Sequence, residues 1–336
     1  MGSERLDVVG IGGAIVDVLA KCEDQFLTDH GIAKGAMTLI DQDRAKALYD
    51  SIGSAVEVSG GSAANTIAGL ASFGAKVGFI GKVRDDQLGD IFRHDIRATG
   101  VEFTTDPATD GPPTARSFIL ISPDAERSMN TYLGASGGIT RADIDQDMMR
   151  RAHVAYVEGY AWDTPDAKDA IREAAVSVRT DGGKLAFSLS DPFCVERHRD
   201  EFRQLVQGPV DVLFANEQEL CALYQAGDVD AAINAMAEEV GVGVVTLGAR
   251  GAVAVAGQMR WQVEAWPVDQ VVDTTGAGDL FAAGFLFGLS RKQDHETNAR
   301  LATIAAAEII SHVGARPETP LVDLARQWDV FGGLKV

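Results

Sequence analysis

The sequence predicts an α/β protein in three layers: a mostly parallel central sheet with helices on both faces, carrying a small β-sheet lid. Short β-branched runs alternate with helix-like segments along the chain, which is how parallel sheets are wound. Glycine-rich turns stand where strands give way to helices. One stretch breaks the alternation and reads as an antiparallel insertion.

In chain order, Asp7 to Gly13 and Val77 to Val83 are strand-like, and the amphipathic segment Ser62 to Phe73 between them completes a strand, helix, strand unit. Strand signals follow at Ala152 to Val157, Lys184 to Leu189, Val212 to Ala215 and Val242 to Leu247, with a helix over Pro165 to Arg179. Val18 to Ile40 does not fit the pattern, nor does Thr114 to Leu133, where polar and apolar residues alternate around Ser122-Pro123-Asp124 as in a hairpin. A lid is therefore expected from about residues 14–45 and 101–135, within a single domain over 1–336, because neither a repeat nor a Pro-rich linker divides the chain.

Composition limits what this fold can serve. With 336 residues, 46% hydrophobic and 24% charged, the chain can bury a large core. Its 49 acids against 30 Lys and Arg give a net charge of −19, which opposes attraction to nucleic acid or an anionic membrane surface. Cys22, Cys194 and Cys221 lack metal or disulfide spacing, and neither an export signal nor a membrane span is apparent, so a cytoplasmic protein is expected. The six histidines are scattered, and no Ser-His-Asp elbow occurs.

The most informative stretch is Asp273-Thr274-Thr275-Gly276-Ala277-Gly278-Asp279, which runs directly into the apolar helix Leu280 to Leu286. Backbone N–H groups of Gly276, Ala277 and Gly278 can converge there on an anion, while Asp279 offers a proton acceptor at the same helix start. The helix dipole is expected to depress the proton affinity of Asp279. No GxxxxGK[ST] is present, and Ile15 stands where the dinucleotide fingerprint needs a small residue, so both of those nucleotide-binding modes are disfavoured.

Asp17, read as lying just past a strand end, together with Gly60, Gly61 and Asn65 would suit vicinal hydroxyls, although each alone has an ordinary reading as a turn or helix-start residue. Asn216 and Glu219 follow a strand and could hold Mg²⁺ through bound water, or else simply complement a helix dipole. Thr246-Leu247-Gly248-Ala249-Arg250-Gly251 reads equally as a hairpin turn or a nucleotide-facing loop.

Taken together and in this order, DTTGAGD, Gly60-Gly61 with Asn65, the Asn216 to Glu219 segment and the TLGARG turn resemble the ribokinase-like (PfkB) carbohydrate kinases across about the whole chain. Tyr156 to Tyr160, Ser188 to Phe193 and Glu126-Arg127-Ser128 are most similar to adenosine kinases. The resemblance implies ATP with Mg²⁺ as donor, a primary hydroxyl of a small nucleoside or sugar as acceptor, and Asp279 as catalytic base. It also implies Arg127 reaching from the lid towards phosphate, and Tyr160 or Trp162 stacking on the purine. Thr246, Gly248 and Gly251 would then face the nucleotide, and carbonyls near Asp273, Thr275 and Gly314 would seat a monovalent cation such as K⁺. A monomer or homodimer is implied. A sugar kinase acting on ribose, fructose or 2-keto-3-deoxygluconate is the alternative, and a binding protein without turnover is a third reading, disfavoured by the intact Asp279.

Overall fold

The computed structural model describes residues 4–124 and 126–328, so the expected domain over 1–336 extends past the described residues at both ends. Strands in chain order are β1 (Leu6–Ile11), β2 (Ile15–Lys21), β3 (Met37–Leu39), β4 (Val56–Gly60), β5 (Val77–Ile80), β6 (Ala115–Ile121) and β7 (Arg127–Tyr132). They continue with β8 (Ala152–Glu158), β9 (Lys184–Ser188), β10 (Val212–Asn216), β11 (Val242–Thr246), β12 (Ala252–Ala256) and β13 (Met259–Val263).

The larger sheet has the order β13-β12-β11-β10-β9-β8-β1-β5. From β11 to β5 every pairing is parallel, and β12 and β13 close one edge antiparallel. Its strands are apolar on both faces because helices cover both. On one face Val9, Ile11, Val157 and Phe187 pack against the helix Pro165–Thr180 and its neighbours. On the other, Val8, Phe79, Tyr156 and Phe214 meet the helices Ser62–Ser72, Ala277–Ser290 and His295–Ile310.

Two of these helices approach closely because small residues face each other. A Cβ on Gly69 would crowd Leu280 and Ala283, and one on Gly284 would enter the backbone of Leu301. Further along, Phe73 stacks on Phe287 with ring centroids 4.8 Å apart, a contact contributing about 0.5–1.5 kcal/mol beyond burial. The result fixes the starts of Ser62–Ser72 and Ala277–Ser290 side by side.

The chain leaves β1 towards β5 on one side and returns as β8 on the other, so strand order reverses at the β1–β8 pair. Open α/β sheets bind ligands outside the carboxyl ends of the strands at such a reversal. Here those ends carry Gly12, Gly13 and Glu158.

A second sheet, β3-β7-β6-β2-β4, lies over that end. Its outer face buries Val18, Ala20, Phe118 and Leu120 against Leu27 and Leu48. Its alternate residues, among them Ile15, Asp17, Ser117, Ile119 and Met129, face the cavity. The antiparallel pairing of β6 with β7 matches the expected hairpin. Two expectations are corrected. The second sheet also takes in Val56–Gly60, whose short polar-apolar run beside the glycine pair had no strand signal. Asp17 is not past a strand end but inside β2, opposite Val58 and Ser117.

Candidate active site

Asp279 is the third residue of its helix, after the N-cap Gly276, whose φ of 78° is left-handed. Its Oδ1 accepts a hydrogen bond from Ser62 Oγ at 2.6 Å, and its Oδ2 accepts one from Asn65 Nδ2 at 3.0 Å. Because a carboxylate accepts, the Asn65 amide must turn its nitrogen to Asp279, and its buried Oδ1 is left without a partner. Asn65 lines a cavity of about 410 Å³ together with Asp17, Gly61, Ser62, Glu158 and Thr275, a size suited to a small molecule.

The proton affinity of Asp279 is raised on balance, not depressed as expected from the helix dipole. Burial raises it, against the opposing hydrogen bonds from Ser62 and Asn65 and the charge of Arg316. Burial likewise pushes Asp17 up to about 7, with Arg316 and Arg127 pulling it down and Asp279 adding to the rise. The dipole acts over one turn at a fraction of a unit charge, whereas several buried carboxylates crowd this end of the sheet.

The glycine pair has a steric explanation at each position. A Cβ on Gly60 would overlap the Asp17 carboxylate, and Gly61, at φ 95°, would drive one into the Gly13 carbonyl. Asp17, Gly60, Gly61 and Asn65 are thus brought together as expected. Ser62 spends its hydroxyl on Asp279, and Gly61 is the N-cap of this helix.

Two charged residues at this end had no sequence signal. Glu158, 2% exposed, accepts from Gly13 N at 2.7 Å and Ala63 N at 2.6 Å, and burial pushes it up to about 7. Arg316 donates to Ala64 O at 2.6 Å, to Ser59 O at 3.3 Å and to Ser59 Oγ at 3.2 Å.

At the loop before the helix, Asp273 Oδ1 accepts from Thr275 N and Oδ2 from Gly314 N, both at 3.0 Å. Arg127 arrives from β7 with a guanidinium nitrogen 2.7 Å from Asp273 Oδ2 and another 3.4 Å from Thr275 Oγ1. The Asp273 carboxylate is therefore already partnered and does not offer a free ligand to a monovalent cation. Thr275 and Gly276 line the cavity, and a Cβ on Gly278 would meet open space. Ala277 N donates to Thr274 O at 3.2 Å and Leu280 N to Gly276 O at 2.8 Å, while between them Gly278 and Asp279 are the first-turn residues of this 14-residue helix whose N–H groups precede its own ladder, so the helix start fits an anionic phosphate.

Asn216 and Glu219 form a capping box: Asn216 N donates to Glu219 Oε2 at 2.9 Å, Asn216 Nδ2 to Oε1 at 2.7 Å, and Glu219 N to Asn216 Oδ1 at 2.8 Å. Glu219 is buried and thereby pushed up to about 7. Among the described residues no three His, Cys, Asp or Glu side chains converge on a metal position. Thr246 pairs with Asn216 in the sheet. The loop after it joins β11 to antiparallel β12 as a hairpin, which leaves its nucleotide-facing reading open, and Gly251 is required where a Cβ would strike the Val263 carbonyl. Asn216, Glu219, Thr246, Gly248 and Gly251 do not line the main cavity.

Tyr160 lines the cavity, whereas Trp162 is buried against Phe202 and donates to Glu201. Of the two aromatics, only Tyr160 can meet a ligand there.

Comparison with known proteins agrees with this arrangement. A solved adenosine kinase from Sinorhizobium meliloti is 51% identical, with a TM-score of 0.91, covering 96% of this chain and 99% of that one. A probable sugar kinase protein from Rhizobium etli CFN 42 is 48% identical, with a TM-score of 0.92, covering 97% and 99%. An ATP-dependent ribose-1-phosphate kinase from Halopiger xanaduensis is 32% identical over 79% of this chain and 85% of its own length. Kinases of this kind use ATP, typically with Mg²⁺, and phosphorylate a hydroxyl acceptor. The signature of the pfkB family carbohydrate kinases matches residues 36–321, and the chain belongs to that family.

Proposed function

We propose that this kinase phosphorylates the 5′-hydroxyl of adenosine to give AMP. The observation that carries the reading is the Asp279 carboxylate, fixed by Ser62 and Asn65 beside an unpartnered Asn65 Oδ1 and the Asp17 carboxylate in one cavity. Asn65 Oδ1 and Asp17 accept from ribose hydroxyls, and Gly60 and Gly61 let the backbone come close. Tyr160 meets the purine, and the 51% identical relative named as an adenosine kinase favours that acceptor.

ATP with Mg²⁺ supplies the phosphoryl group and the metal charge when bound. Asp279 takes the proton of the acceptor hydroxyl, and its raised proton affinity makes it the stronger base near neutral pH. Backbone N–H groups of Gly276, Ala277 and Gly278 stabilise negative charge at the transferring group, and Arg127 adds a positive charge beside them. Asn216 and Glu219 orient water held on Mg²⁺, and Thr246, Gly248 and Gly251 shape the nucleotide side. The second sheet serves as the lid that excludes water from the cavity, in one kinase domain.

A ribokinase-like sugar kinase is the second reading, favoured by the 48% identical relative. ADP release from ATP·Mg²⁺ is measured with adenosine, inosine, ribose, fructose and 2-keto-3-deoxygluconate. Adenosine is expected to give the highest kcat/KM; turnover of a free sugar without adenosine turnover would replace this acceptor.

A further inference from the structure

Arg316 follows the helix His295–Ile310, far in sequence from Asp17, the Gly60–Gly61 turn and Asn65. Its three guanidinium nitrogens go to Ser59 O, Ser59 Oγ and Ala64 O. Those two residues flank the Gly60–Gly61 turn. Gly60 lies against the Asp17 carboxylate, and Asn65, next to Ala64, holds Asp279. All three acceptors are neutral, and among the described residues Arg316 forms no ion pair within 4.0 Å. Its charge therefore acts on the carboxylates around it without being spent on one of them.

We propose that Arg316 is a positioning residue of the phosphoryl-transfer site: it clamps the Gly60–Gly61 turn from both sides and supplies the positive charge that lets Asp17 and Asp279 ionise together. This rests on Asp279 acting as the base. Three acids face the guanidinium, Asp17 from β2, Asp279 from its helix and Asp95 from the helix Gln87–Ala98. Arg127 acts on Asp17 as a second cation, and Glu158 lies within reach of the Asp279 charge. Tyr156 and Tyr160 also feel Asp279. Burial lowers Arg316 itself only to about 10, so it stays protonated through the working range.

The test is the pH profile of kcat/KM with the best acceptor for wild type, Arg316→Gln, Arg316→Lys and Asp279→Asn. Removing the cation raises the proton affinity of the base, so Arg316→Gln should move the acid limb up by about one pH unit, with activity recovering as pH rises. An unmoved acid limb overturns the proposal. Arg316→Lys keeps a charge but not the two-sided clamp, so the limb stays near wild type while the acceptor KM rises several-fold; an unchanged KM overturns the clamp, and this variant decides the matter if Arg316→Gln does not fold. Asp279→Asn separates the two failures: normal turnover there rejects the base itself, whereas lost turnover with an unmoved Arg316→Gln limb rejects only the role of Arg316.

Discussion

Glu158 and Glu219 are two buried glutamates near the carboxyl ends of parallel strands, the first accepting from two backbone N–H groups and the second from one backbone N–H and one side-chain amide, and each is pushed up to about 7 by burial. They differ in where their partners come from. Glu219 closes a box with Asn216, three residues away, whereas Glu158 joins Gly13 and Ala63, which lie 145 and 95 residues from it. The first shapes one helix start; the second ties β1, β8 and the helix bearing Ser62 and Asn65 into one unit. The two therefore give local order at a single helix start and tertiary order beside the cavity.

The comparison predicts unequal losses. Glu158→Ala strands two buried N–H groups, costing about 2–4 kcal/mol of stability, and should raise the acceptor KM more than tenfold with a smaller change in the ATP KM. Glu219→Gln keeps one acceptor oxygen and should cost about 1 kcal/mol, raising the ATP·Mg²⁺ KM more than the acceptor KM. Steady-state kinetics and urea unfolding of both variants check this, and the same KM pattern in the two would break the distinction.

A smaller effect concerns Asp17 in the ligand-free protein. A carboxyl whose folded value is raised holds its proton more tightly folded than unfolded, so its stabilising contribution is present at low pH and is lost as pH rises through about 7. Asp17→Asn should therefore melt higher than wild type at pH 8, by about 2 °C for a difference on the order of 1 kcal/mol, and the gap should narrow as pH falls below about 7 and close only near the ordinary carboxylate value of 3.8. A gap that widens towards low pH would contradict the assignment of burial as the dominant cause. Smallest of all, Tyr160→Phe removes a 3.4 Å contact with the Ser190 carbonyl and the hydroxyl's interaction with Asp191. It should change adenosine KM less than threefold, because the ring itself, not the hydroxyl, meets the ligand.

How far the chain could be read follows the same division. The parallel strands were legible because burial on both faces leaves near-continuous apolar runs such as Val212 to Ala215. Asp279 and the glycine pair were legible because loop, helix start and special φ are encoded by adjacent residues. Asp17 was misplaced because Gly12-Gly13 resembles the end of a strand, and nothing local shows that β2 starts at Ile15 in another sheet. The proton affinity of Asp279 was misjudged since it depends on burial, on Ser62 and Asn65 and on Arg316, all distant in sequence. Glu158 and Arg316 were missed altogether: one sits at the end of an apolar strand and the other beside a proline, and neither neighbourhood says which backbone they will bind.

The central claim is that Asp279 is the base of phosphoryl transfer in this kinase. It is tested most directly by Asp279→Asn, measuring acceptor binding by calorimetry and turnover by ADP release on the same preparation. The account predicts binding within about tenfold of wild type and turnover reduced by roughly 10²–10⁴-fold. Turnover near the wild-type value, with binding intact, would contradict it.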